Sequence, residues 1–163
     1  MKVKITQFRD PDLETSGEIV GFYPREFFMF DNFSSFQVDW RGRRWATSEH
    51  AYQAAHFFDT APELAEQIYN IRSAHEAYKL ANANNNRKPK NWGDIKVGIM
   101  EDICRNKLQQ NLYIREKLLL TLDYEIIEDS PKDSYWGWGA DRKGRNELGK
   151  VWMRLRDEIT SNK

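Results

Sequence analysis

Between Thr47 and Phe58 the chain changes period. Ala51, Ala54, Ala55 and Phe58 recur at i, i+3, i+4 and i+7, the spacing of one face of an α-helix. Thr47 or Ser48 predicts the N-cap, and Glu49 then falls in the first turn, where a carboxylate meets the positive end of the helix dipole. Pro62 suits the first turn of the next helix, Pro62–Ile71, and a third covers Ala74–Ala81. A longer helix runs from Trp92 to Lys107 with Ile95, Ile99 and Ile103 on one face, and Leu112–Leu122 reads as another. The last, Glu147–Ile159, places Leu148, Val151, Trp152, Leu155 and Ile159 on one apolar stripe. Short β-prone pieces fall at residues 3–8, 18–22, Gln37–Trp40, Arg43–Trp45 and Glu125–Glu128, with Arg41-Gly42 as the turn of a hairpin. The pattern predicts an α+β fold: one helix-dominated domain over residues 1–163 with a small β-sheet. No βαβ alternation supports a Rossmann fold.

Composition narrows the function. With 163 residues, 40% apolar and 13% aromatic, the chain can bury a real core. Twenty-five basic and 25 acidic residues cancel, which argues against a protein whose main work is coating nucleic acid or an anionic membrane. A single cysteine, Cys104, cannot close an internal disulfide or build a cysteine-based metal site. His50, His56 and His75 are not spaced i, i+4, so no metal site is expected. No apolar run approaches the ~20 residues of a membrane span, and the first residues lack a signal-peptide core. The expectation is a cytoplasmic protein without membrane attachment, obligate protein partner or cofactor.

Three segments carry candidate chemistry. In the Thr47–Phe58 helix, Glu49, Tyr52, Gln53 and His56 fall opposite the alanine stripe, so a carboxylate, a phenol, an amide and an imidazole share one face. The plain alternative is an amphipathic helix with its polar side in water. The segment Ser130–Gly149 gathers glycines with Trp136 and Trp138. Glycine lets backbone approach a ligand closely, and tryptophan offers a flat face to a nucleobase. Here the alternative is a tight turn whose tryptophans plug the core. Arg87-Lys88-Pro89-Lys90-Asn91-Trp92 joins cations to a ring that could hold a phosphate and stack on a base, or form a solvated loop before a helix.

These segments occur in the order of a known family. Phe30-Asp31-Asn32-Phe33-Ser34, Trp45-Ala46-Thr47-Ser48-Glu49-His50-Ala51-Tyr52-Gln53-Ala54, Lys90-Asn91-Trp92 with Met100, Asp133-Ser134-Tyr135-Trp136-Gly137-Trp138-Gly139 and Gly144-Arg145-Asn146-Glu147-Leu148-Gly149 carry the likeness. Over about residues 20–159 the sequence resembles the YbiA-like or NADAR family, named for NAD and ADP-ribose. The resemblance implies the YbiA-like fold and an N-glycosidase, a hydrolase acting on ribosides. Its substrates would be phosphoribosylamino-pyrimidine intermediates of riboflavin synthesis, or ADP-ribosylated guanine in nucleic acid, in reversal of ADP-ribosylation. By the same resemblance Glu49 is the carboxylate that stabilises an oxocarbenium-like transition state or activates water. Asp133 orients ribose or water, and His56 stands where the family carries lysine, as proton carrier or phosphate contact. Trp92 and Trp136 stack on base or ribose, and Asn32, Gln53 and Asn146 make polar contacts. Arg87 and Lys88 meet phosphate, while Phe33, Tyr52, Gly137 and Asp141 complete the expected binding set. A second departure is Asp31, which replaces the family's serine. A non-catalytic sensor of NAD or ADP-ribose is the competing reading, and a nucleic-acid-binding module built on Trp92 is disfavoured by the zero net charge.

Overall fold

The computed structural model describes residues 19–22 and 27–161; the β-prone piece at 3–8 lies outside them. The elements in order are β1 (Ile19–Phe22), β2 (Val38–Trp40), β3 (Arg43–Trp45), α1 (Ser48–Ala55), α2 (Pro62–Asn70), α3 (Ala74–Ala83), α4 (Trp92–Gln110), α5 (Leu112–Leu120), β4 (Glu125–Glu128) and α6 (Glu147–Ser161). The class is α+β, with two two-stranded sheets. The described residues fall into two compact units, one from the segments before Asn32 and from Leu112 onward and the other from Asn32–Asn111.

In the first unit β1 and β4 pair in parallel, Ile19 opposite Glu125 and Phe22 opposite Glu128. A parallel pair needs a long connection, and here the entire Asn32–Asn111 segment lies between the strands in sequence. Helix α6 packs against β4. Its Trp152 is fully buried, with the indole N–H donating to the Phe30 carbonyl at 3.0 Å and the rings 5.0 Å apart. Arg156, also buried, donates to the Thr121 hydroxyl and the Tyr124 carbonyl just after α5, so its charge closes the end of that helix.

The second unit is organised around α1, which packs on α2, α3, α4 and the β2–β3 hairpin. The hairpin turns on Arg41 and Gly42, both left-handed (φ 48° and 75°), the geometry of a two-residue turn matched to strand twist. Trp40 and Trp45 point inward, and the Trp40 indole donates to Asp102 on α4 at 2.7 Å. The α4 stripe differs from the one the isoleucine spacing predicts. Ile95 is 36% exposed and Ile99 only half-buried, while Trp92, Met100, Ile103, Cys104, Lys107 and Leu108 face inward. The buried face is rotated by about one residue and carries a lysine amine, which donates to the Ser34 hydroxyl at 3.1 Å.

One side chain holds β4 to the loop that precedes α6. Asn146, itself left-handed (φ 51°), donates from Nδ2 to the Ile126 carbonyl at 2.8 Å and accepts the Glu128 N–H on Oδ1 at 2.9 Å. Asn146→Ala removes both bonds, each worth about 1–3 kcal/mol when a buried backbone group is left bare, and loses the tolerance of a left-handed φ that asparagine has over alanine, up to about 1 kcal/mol more. The variant is expected to lose roughly 3 kcal/mol or more in urea unfolding, with Asn146→Gly recovering only the conformational part. A loss under about 1 kcal/mol would show that the clamp carries no weight.

Candidate active site

Helix α1 has no water-facing side: each of its eight residues is buried. The polar face that an amphipathic helix would turn to solvent is packed against protein, so every polar group on it needs a partner. At the N-terminus the Thr47 hydroxyl accepts the His50 N–H at 3.2 Å and lies 2.8 Å from His50 Nδ1. His50 Nε2 lies 3.0 Å from the Ile71 carbonyl, which can only accept. The hydrogen therefore sits on Nε2, and Nδ1 receives the Thr47 hydroxyl proton. Burial lowers the His50 pKa and keeps the ring neutral.

Glu49 follows in the first turn, 4% exposed, with its backbone N–H donating to the Asn32 carbonyl at 3.1 Å. One turn on, Gln53 Nε2 donates to Glu49 Oε1 at 2.6 Å. The remaining polar atoms here are unusual. Asn32 Oδ1, Gln53 Oε1 and the Ser48 hydroxyl are buried without a hydrogen-bond partner. Asn32 Nδ2 is spoken for, reaching the Met100 sulfur on α4 at 3.3 Å. The start of α1 thus holds a buried carboxylate braced by the Gln53 amide, with buried unpartnered atoms on Ser48, Gln53 and Asn32, whose main chain bonds that of Glu49.

The other end of α1 is aromatic and cationic. The His56 ring lies 4.0 Å from Trp92 and 4.9 Å from Tyr52, and Tyr52 lies 5.6 Å from Trp92. His56 Nδ1 donates to the Gln53 carbonyl at 3.0 Å, leaving Nε2 as an acceptor. Burial, reinforced by the nearby positive charges of Lys88 and Lys96, pushes the His56 pKa down to about 3. This burial favours the neutral ring, which suits His56 to proton transfer or hydrogen bonding rather than to a cationic contact. Lys88 and Lys96 bring positive charge close to this ring. Lys88 is half-buried, and burial and then Lys96 lower its pKa. Lys96 was missed by the motif reading, although it stands one helical turn after Trp92. Trp92, only 9% exposed, packs on His56 rather than standing free.

Other expected residues are placed elsewhere. Arg87 ion-pairs with Glu63 of α2, so its charge is engaged on the surface. Phe33 is exposed beside Tyr78. In the first unit, Asp133 Oδ1 accepts the N–H groups of both Tyr135 and Trp136, at 2.8 and 2.7 Å, and holds the loop's turn. Trp136 is half-buried against Tyr135. Gly137 is there for the backbone of its own chain: a Cβ would lie 2.6 Å from the Glu128 carbonyl and 3.0 Å from that of Asp133. Asp141 is exposed and accepts the Lys143 N–H. Asn146 spends both ends of its amide on β4, as described. Gly137 and Asn146 thus have structural roles in this loop. Among the described residues no group of three or more His, Cys, Asp or Glu could hold a metal ion, and no helix is long and apolar enough to cross a membrane.

The NADAR domain family matches residues 7–160, and the chain belongs to that family. It is 38% identical over 152 residues to a riboflavin biosynthesis protein of Vibrio vulnificus, across 93% of this chain but 38% of that protein. It therefore spans little more than a third of the Vibrio protein's length. To N-glycosidase YbiA of Shigella boydii it is 32% identical over 147 residues, covering 89% of this chain and 91% of that one. The NMR structure of the E. coli protein YbiA superimposes with a TM-score of 0.81 at 32% identity, covering 88% and 86% of the two chains.

Titration of His56 gives a direct check. Its folded pKa of about 3 lies below the unfolded value near 6.5, so between these values the unfolded chain binds the extra proton. Stability is expected to fall as pH drops from about 6.5 towards 3, by up to about 1.4 kcal/mol per pH unit from this group. His56→Phe should flatten that slope, and ring NMR shifts of His56 should not titrate between pH 5 and 8. A midpoint for His56 near 6.5 would overturn the assignment.

Proposed function

We propose that the chain is an N-glycosidase that hydrolyses the bond between ribose C1 and a base nitrogen. The observation that carries this reading is the buried Glu49 carboxylate at the start of α1, braced by Gln53 at 2.6 Å and set among unsatisfied polar atoms. Names of related proteins, N-glycosidase YbiA and a riboflavin biosynthesis protein, support the same reaction class. Cleavage of a C1–N bond builds positive charge on the sugar, as in O-glycoside hydrolysis. A carboxylate fixed beside that carbon stabilises the charge before it forms, at no cost in reorganisation. Water then bonds to C1 as the C1–N bond breaks. Glu49 takes a proton from the water, and that proton passes on to the departing base nitrogen, so the carboxylate is restored.

The two ends of α1 suit the two ends of a phosphorylated riboside. Glu49 lies seven residues before His56, roughly 10.5 Å along a helix. The sugar would sit at Glu49, Gln53 and Asn32, with phosphate towards Lys88 and Lys96. The Trp92, Tyr52 and His56 rings would line the space between. Neutral His56 serves there as a hydrogen-bond acceptor rather than as a charge. Substrates of this shape include phosphoribosylamino-pyrimidines and ADP-ribosylated guanine.

Glu49→Gln keeps shape and helix while removing the charge. Turnover on these ribosides is expected to drop at least ~10²-fold with unchanged melting, the loss typical of a positioned acid–base group. Equal turnover in a folded variant would remove Glu49 from the chemistry. Tight ADP-ribose binding by a wild-type protein with no turnover would favour the sensor reading instead.

A further inference from the structure

Two of the orphaned atoms share one chemical character. Asn32 Oδ1 and Gln53 Oε1 are carbonyl oxygens that can only accept, and both belong to side chains at most 6% exposed. Their orientation is dictated by their neighbours. The Gln53 NH2 must face Glu49 Oε1 at 2.6 Å, since two oxygens at that distance would repel. The Asn32 NH2 faces the Met100 sulfur at 3.3 Å, where a flipped amide would oppose oxygen to sulfur lone pairs. Each amide therefore spends its donor inside the protein and keeps its acceptor in reserve. Both residues are also bonded to Glu49, Gln53 through its side chain and Asn32 through its main-chain carbonyl, which accepts the Glu49 N–H.

An unsatisfied buried acceptor disfavours any ligand that brings another acceptor or an apolar group, and favours one that brings a hydroxyl or amine hydrogen. Two such acceptors, on residues that both bond Glu49, call for a ligand with two neighbouring donors. We infer that Asn32 Oδ1 and Gln53 Oε1 are the specificity determinants of the sugar subsite, receiving the vicinal 2- and 3-hydroxyls of a ribose so that 2-deoxyribosides are rejected. This rests on the N-glycosidase reading for the identity of the ligand, but the acceptor geometry stands apart from catalysis. The two amides position and select the sugar; they take no proton.

Binding tests this without turnover. Ribose 5-phosphate and 2-deoxyribose 5-phosphate are titrated calorimetrically against the full chain, with a chelator present so that no cation fills the acceptors. The 2-deoxy sugar leaves one acceptor buried and bare, and is expected to bind at least about tenfold more weakly. Gln53→Met and Asn32→Leu remove the acceptors at similar volume, and at least one should bring the two affinities within about threefold. Asn32→Asp keeps an oxygen at the same place and should keep the discrimination, which guards against a variant that merely misfolds. Equal affinities in the wild type, or a ratio unchanged in both acceptor-less variants, would overturn the inference. The outcomes separate it from the parent reading. Hydrolysis of ribosides without sugar discrimination refutes the inference alone. Discrimination without hydrolysis refutes the glycosidase and leaves the subsite.

Discussion

The second unit depends on the burial of a polar helix. Helix α1 carries Glu49, His50 and Gln53 within its eight residues and ends at His56, yet none of these reaches solvent. Placing a carboxylate in such a setting costs several kcal/mol unless it is answered, so its surroundings are constrained to answer it. The helix N-terminus offers its dipole, Gln53 offers an N–H, and Thr47 with Ile71 locks His50 in one tautomer. Alanines at 51, 54 and 55 then allow the neighbouring elements to approach closely enough to exclude water. A helix with larger apolar residues would stand further off, and the polar groups would be hydrated and ordinary.

The same constraint shapes the electrostatics at the C-terminal end. An imidazole in water is half charged near neutrality, but His56 is enclosed by Trp92, Tyr52 and Phe57 with two lysine charges close by. Enclosure and like charge act in one direction, so the neutral ring is strongly preferred. Replacing a charged amine by a neutral acceptor at this position changes what the position can do. It does not change the aromatic packing around it, which any flat ring can provide.

In the first unit the glycines perform a different task from the one that glycine-rich loops suggest. Gly137, Gly144 and Gly149 each lie where a Cβ would press into a backbone carbonyl or an amide at 2.1 to 2.6 Å. They let the loop and the first turn of α6 lie directly on β4, with Asn146 stitching the two together. Trp138 fills the gap beside Ile19 and Ile127. The loop's composition is thus explained largely by packing on a short parallel pair, with Tyr135 and Trp136 left half-buried.

Much of this was legible in the chain. The helices, the hairpin at Arg41-Gly42 and the strand at Glu125–Glu128 follow from local periodicity and turn chemistry, which depend on neighbours a few residues apart. Family motifs singled out Glu49, Gln53 and Asn32 for the same reason: they are contiguous patterns. The sequence could not say that the polar face of α1 is buried, because burial depends on helices 20 to 50 residues further along the chain. Nor could it separate Asn146 and Gly137, which serve the backbone, from residues with spare hydrogen-bonding capacity. It placed the apolar face of α4 on Ile95, Ile99 and Ile103, where the fold keeps Ile103 and turns Met100, Cys104 and Leu108 inward, since a helix with apolar residues on more than one side has no unique inward face until its partners pack. Local pattern determined the elements and their chemistry. Which groups are left buried, neutral or unsatisfied was decided by tertiary packing, because desolvation is a property of surroundings that the linear chain does not contain.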